Sequence, residues 1–266
     1  MRAILSWTIW QRRFSWLWWT LGVCSFIVLS ISFYASFKGQ AQQLNDVLNN
    51  LPQTARSFFT DNSDFLSPEG FLSARLYYLM LPLLLGVLAI GLGGGLISRE
   101  EESGTLELLL ARPISRTKLL IAKGVAGLII LSGVCLAALI TTLIVSRLVG
   151  IEVGVSNIMA ATLYSALLAL VFGTVAFTIS AIGRGAHFAS VGFASLIGLG
   201  SYLMSSLAGT VHWLVWPAKL LPYNYYRPSE TLIGNYHWHN AAILLSVIII
   251  LGLISWASFR GRDIGN

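Results

Sequence analysis

Six stretches of the chain run for more than twenty residues without Asp, Glu, Lys or Arg: 14–37, 76–98, 124–146, 153–183, 185–218 and 231–259. A bilayer hydrocarbon core is about 30 Å thick, and roughly 20 apolar residues of helix cross it at about 1.5 Å per residue. Each stretch can therefore supply one crossing. Helices are expected because the bilayer core holds no water to satisfy an open backbone. The two-residue alternation of barrel strands is absent from these runs. The pattern predicts an all-α polytopic membrane protein, a single domain over 1–266. Its spans are expected at about 15–37, 76–97, 118–149, 157–182, 188–209 and 240–259. The first run follows Arg12 and Arg13, exceeds the usual length of a signal core and has no clean small-residue cleavage site after it, so it reads as a retained anchor.

Polar segments join these runs. In residues 1–14, Ala3, Trp7, Trp10 and Phe14 fall on one helical stripe, and Thr8, Gln11, Arg12 and Ser15 on another. That is the pattern of a helix lying in the headgroup layer, with Trp7, Trp10, Arg12 and Arg13 suited to the interface. The segment 38–75 is the longest polar stretch. Leu44, Val47, Leu48 and Leu51 recur there at helical spacing until Pro52. Ser67-Pro68-Glu69 then reads as a helix start, with Ser67 as cap and Pro68 in the first turn, so span two is expected to begin well before the bilayer.

Lysine and arginine orient the chain. Six spans place both termini on one side. With the termini inside, eleven basic residues lie inside (Arg2, Arg12, Arg13, Arg99, Arg112, Arg116, Lys118, Lys123, Arg184, Arg260, Arg262) and six outside (Lys38, Arg56, Arg75, Arg147, Lys219, Arg227). The termini are therefore expected to be cytoplasmic, in a plasma (inner) membrane. The net charge of +6 reflects this bias and is no argument for nucleic acid as a partner. Cys24 and Cys135 both fall inside spans and read as small packing residues.

The loop at 98–117, "SREEESGTLELLLARPISRT", concentrates charge in an apolar protein. Eight charges fall between residues 98 and 118: Arg99, Glu100, Glu101, Glu102, Glu107, Arg112, Arg116 and Lys118. At about 2.5–3.5 kcal/mol each, they exclude the segment from the bilayer centre by more than about 20 kcal/mol. Yet Leu106, Leu109 and Leu110 fall at i, i+3 and i+4, one apolar helical face. Glu100–Glu102 favour the positive end of such a helix, and Pro113 ends it. Ser115 can cap the next helix. Two turns are unstable alone in water, so the leucine face must rest on span ends, on the membrane surface or on another protein. Charges flanking an apolar face fit a protein partner.

The stretch from Ser98 to Gly124, "SREEESGTLELLLARPISRTKLLIAKG", resembles the signature of type-2 ATP-binding-cassette exporter permeases. Glu100–Glu102, Gly104-Thr105, Leu106–Leu110, Pro113, Ser115-Arg116 and Lys123 match it in order. The resemblance implies that the short helix is a coupling helix seated on a separate ATPase subunit, in a complex of two permeases, identical or not, and two ATPases. Leu106, Leu109 and Leu110 would transmit displacement, while Glu100, Glu101, Glu102, Glu107, Arg112 and Arg116 would hold the contact. No G-x-x-x-x-G-K-[ST] is present, so no cofactor is expected in this chain, and ATP and Mg are expected in the partner. The segment 38–75 is longer than the resemblance implies and leaves room for an attachment surface. That supports an alternative, a non-transporting module that relays force or signal to envelope proteins. An intramembrane enzyme would need paired aspartates, H-E-x-x-H or an activated nucleophile, and none is present.

Residues 210–239 mix aromatics and prolines. Trp213, Trp216, Pro217, Pro222, Tyr225 and Tyr226 are candidates for short outer-leaflet helices, which the resemblance makes gate-like; a static aromatic belt is the other reading. His237 and His239 in "HWH" have no nearby carboxylate or thiol and read as interfacial polar residues rather than metal ligands. Gly91 and Gly95, like Ala194 and Gly198, are spaced for close helix packing. No ionisable residue lies in the middle of a span, which argues against an ion-coupled carrier and fits ATP-driven movement of an amphiphile such as a lipid, peptide or hydrophobic antibiotic.

Overall fold

The computed structural model describes residues 2–38, 67–105, 115–183 and 187–261, and no strand occurs among them. After α1 (Arg2–Gln11) and a turn at Arg12 comes α2 (Arg13–Lys38). The next described element is α3 (Pro68–Leu72), which passes through a π-helical turn (Ser73–Tyr77) into α4 (Met80–Gly95) and then α5 (Ser98–Glu102). Three long helices follow: α6 (Arg116–Val149), α7 (Val155–Ile182) and α8 (His187–Leu207). Two short ones, α9 (Val215–Ala218) and α10 (Pro228–Leu232), lead to α11 (Trp238–Gly261). Six segments are long and apolar enough to cross a membrane: Arg13–Tyr34, Pro68–Gly95, Arg116–Val149, Val155–Ile182, His187–Leu207 and Trp238–Gly261. The chain is an all-α polytopic membrane protein. We call the end that carries α1 and α5 the basic end.

Two starts follow from local chemistry. Ser67 Oγ accepts from Gly70 N at 2.9 Å with Pro68 in the first turn of α3, and Ser115 Oγ accepts from Lys118 N at 3.4 Å at the start of α6.

The second and fourth crossings are the most buried and share the most extensive interface. Their backbones nearly touch. A Cβ added at Gly93 would overlap the Gly173 carbonyl oxygen and lie 3.0 Å from Phe177 N, and one at Gly173 would lie 2.9 Å from Ala89 Cβ. Such contact is what small residues allow between helices in lipid. The packing pair expected at Gly91 and Gly95 is thereby corrected: Gly91 has open space at its Cβ position, and Gly95 faces arginine side chains. Ala194 is fully buried and Gly198 faces the Phe172 ring, as their spacing suggested. Around this axis, Val23, Ile27 and Ile31 of α2 pack with Leu81 and Leu85 of α4 and with Ile130, Val134 and Ala138 of α6.

The second crossing is not one regular helix. Tyr78 N donates to Ser73 O, five residues back, at 2.7 Å, which is the π-helical bond. Pro82 has no N–H to offer the Tyr78 carbonyl four residues before it. Both carbonyls at this break, Tyr77 O and Tyr78 O, accept from tyrosines of another segment.

Candidate functional site

At the basic end the root of the charged loop is tied into three spans. Ser98 is buried, and its N–H donates to Ser180 Oγ of α7 at 3.2 Å, while the two hydroxyls also hydrogen-bond. Lys123, eight residues into α6 and 3% exposed, pairs with Glu100, which is 14% exposed. The last carbonyls of α4 have no partner within their own helix and carry the negative end of its dipole. Arg12 Nη2 donates to Gly95 O at 2.9 Å, and His187 Nδ1 lies 3.0 Å from Gly94 O. Arg99 Nε donates to His187 Nε2 at 3.2 Å, so the imidazole carries its proton on Nδ1. Gly95 leaves room for this approach: a Cβ there would sit 3.2 Å from Arg99 Nε and 3.3 Å from Arg12 Nη2, so both side chains would have to give slightly. Burial, and next the charge of Arg99, pull the Arg12 guanidinium below its ordinary pKa, while Glu100 acts the other way. It stays protonated.

The sequence-derived loop residues divide at this root. Glu101 is half-buried, and Glu102, Gly104 and Thr105 are exposed. Gly104, at φ +69°, ends α5 in the left-handed region and donates its N–H to Glu101 O at 3.0 Å. Thr105 Oγ1 donates to Glu100 O at 3.1 Å. Arg116 is half-buried in the first turn of α6. Leu106, Glu107, Leu109, Leu110, Arg112 and Pro113 lie outside the described residues, as do Arg184 and residues 39–66 of the long polar segment.

The N-terminal helix has its faces arranged differently from the expectation. Trp7 and Trp10 are exposed and stacked 5.7 Å apart, and the Arg13 guanidinium sits 3.9 Å from the Trp10 ring. Two members of the polar stripe, expected to face headgroups, turn instead to protein, Thr8 being buried and Arg12 reaching beneath α4, while Gln11 and Ser15 stay exposed. The Gly95 carbonyl at the end of α4 takes the guanidinium. Ile4 joins Ile97, Leu119, Ala181 and Phe259 in a small core there.

At the opposite end, residues 212–232 form short helices. Trp213 and Trp216 are 72% and 78% exposed, with Lys219 Nζ 5.0 Å from the Trp216 ring, the pattern of an aromatic belt. Pro217 lies in α9, Pro222 opens a 3-10 turn, and Tyr225 Oη donates to Lys219 O at 2.8 Å. Tyr226 is buried. Its hydroxyl donates to Tyr77 O at 2.6 Å and shares a hydrogen bond with Ser165 Oγ at 2.7 Å. Tyr223, which the sequence reading passed over, donates its hydroxyl to Tyr78 O, and its N–H bonds Ser201 Oγ at 2.8 Å. The pair clamps the break in the second crossing. Pro82, placed to orphan a carbonyl inside an apolar run, was the available signal. Glu230 Oε2 lies 3.4 Å from His237 Nε2, so a carboxylate does stand beside "HWH"; the chain folds back to bring it there. Among the described residues no group of three metal-ligand side chains forms.

Tyr226→Phe keeps the ring and removes the donor to a buried carbonyl, a loss of about 1–3 kcal/mol. It is expected to lower the unfolding midpoint in detergent by several degrees, as read by a thermal melt. An unchanged midpoint would show that the clamp contributes nothing.

No curated protein matched the chain in a sequence comparison. The family model described as "ABC-2 family transporter protein" matches residues 8–264. It covers every element from the second turn of α1 to the end of α11, including the loop root and the tyrosine clamp. The six crossings and the network at the foot of the loop thus belong to a membrane-spanning transport subunit, and the chain is a member of the ABC-2 transporter family, a permease of the ATP-binding-cassette type.

Proposed function

We propose that this permease subunit exports an amphiphile (a lipid, peptide or hydrophobic antibiotic), driven by a separate ATPase that grips the 98–117 loop. In this reading two permease copies and two ATPase subunits form the working complex, and the termini are cytoplasmic in the plasma (inner) membrane. ATP and Mg bind the partner.

The observation that carries the reading is the buried Lys123–Glu100 pair beside the Ser98–Ser180 contact. A loop joined only by exposed side chains would swing freely. This one is fastened by hydrogen-bonded groups to α6 and α7, so a push on the loop moves both helices. The adjoining Arg12, Arg99 and His187 contacts extend the linkage to α1 and α8. The tyrosine clamp at the opposite end is where such a movement would be received.

The test is to co-purify the permease with its ATPase, reconstitute the complex and assay export of labelled amphiphiles. Glu101→Arg combined with Leu109→Asp reverses one charge and places another on the leucine face. Transport per ATP hydrolysed is expected to fall at least about tenfold, corresponding to about 1.4 kcal/mol of lost coupling, while the ATPase still turns over. Full transport by the double variant would overturn the proposal. Complete export with residues 38–66 shortened would count against the force-relaying alternative.

A further inference from the structure

A groove of about 540 Å³ runs between α6 and α7, toward the end away from the loop root. Its α7 wall is Met159, Leu163, Ala166 and Leu170, at i, i+4, i+7 and i+11, one helical stripe. Its α6 wall is Leu131, Cys135 and Leu139. One end is roofed by Tyr236 and Trp238, whose rings lie 5.8 Å apart; Trp238 lies 6.4 Å from Tyr164. The Tyr236 hydroxyl bonds Asn157, which donates to Leu232 O at 2.7 Å, so the roof is fixed.

We propose that this groove holds one acyl chain of a resident bilayer glycerolipid, with the headgroup at the Tyr236–Trp238 roof and the chain end at Leu131 and Leu170. Depth is the first argument. From Ser156 to Leu170 the groove follows α7 for about 21 Å. Half a bilayer, headgroups included, is about 20–22 Å. Leu170 lies just past the middle of the 28-residue helix, so the groove covers one leaflet and stops at the bilayer centre. Polarity is the second argument. Ser156, Asn157, Tyr236 and Trp238 lie at the end where headgroups sit, and the deep end is Leu131 and Leu170 with a single hydroxyl, Ser132, beside them. The inference rests on membership of a membrane family and not on the export reading; its test uses no ATP.

The test reconstitutes the full chain in vesicles of phosphatidylethanolamine and phosphatidylglycerol. A trace of the phosphatidylethanolamine carries a photoreactive diazirine at the end of one acyl chain. After illumination, labelled residues are located by peptide mass spectrometry. Labelling at Leu131, Ala166 and Leu170 is expected to exceed that at Ile249, Ile250 and Leu253, exposed apolar residues on α11, about fivefold, an occupancy ratio of about 1 kcal/mol. A diazirine near the glycerol should move the label to Met159 and Trp238. Ala166→Trp, or Ser132→Phe if the first variant does not fold, should return groove labelling to the α11 level while α11 labelling persists. Equal labelling of groove and α11 would overturn the proposal. So would groove residues cross-linking to a second copy of the chain in place of lipid, or unchanged groove labelling in a folded filled variant.

Discussion

Lys123→Met is expected to destabilise the folded protein by about 3–5 kcal/mol, because it leaves the Glu100 carboxylate without its cation in a largely dehydrated site. Glu100 Oε2 is buried and has no hydrogen-bond partner among the described residues. The ion pair through Oε1 is thus what offsets the desolvation of the group. Removing one partner of a buried pair costs more than removing both, since two neutral side chains leave no stranded charge. Lys123→Met with Glu100→Gln should therefore recover most of the stability lost in the single variant. Thermal unfolding of the four members of this cycle, in one detergent, measures it. If the double variant is no more stable than Lys123→Met, the pair is not coupled. Under the proposed function, the recovered double variant should still transport poorly, because the link from loop to α6 remains cut.

Gly93→Ala is the second large expected effect. A single methyl there must displace the backbone of Gly173, and backbone cannot yield as the tip of a side chain does. We expect a loss near the upper end of the overpacking range, about 1–3 kcal/mol, because the whole contact between the second and fourth crossings must part. Gly91→Ala is the matched control. It lies two residues away in the same glycine run with open space around it, and its effect should stay within about 0.5 kcal/mol. Equal melting of the two variants would show that the close approach is not where the structure places it.

This pair of glycines also marks what the amino-acid pattern can and cannot reveal. The crossings were legible because a charge-free run longer than a bilayer has few other fates, and the caps at Ser67 and Ser115 were legible because capping is local. Which of Gly91, Gly93, Gly94 and Gly95 meets a neighbour is decided by the rotation of the whole helix, and four closely spaced glycines carry no record of it. The same holds for charge. Glu100 and Lys123 were both visible as members of one signature, but their mutual burial depends on a loop that returns to its own root. The sequence around Arg12 points to headgroups because a one-helix view cannot see the carbonyls at the end of α4. Tyr223 was passed over for a related reason: its partner, the Tyr78 carbonyl, exists as an acceptor only because Pro82 removes the helical donor, and the two tyrosines lie 145 residues apart.

The π-helical turn at Ser73–Tyr77 holds one residue more than the α turn it replaces. Each residue of an α-helix rotates the next by about 100°, so the tip Pro68–Leu72 is out of phase with α4 by roughly that angle. In this phase Phe71 meets the Tyr34 ring at 4.7 Å. Loss of a single codon from this stretch would bring the tip into phase with the shaft, the Pro82 break remaining, and swing Phe71 off its neighbour. Leu81, Leu85, Leu88 and Leu92 would keep their places along the shaft. The chain thus stores, in one spare residue, the means to re-aim a helix tip without disturbing the core beneath it.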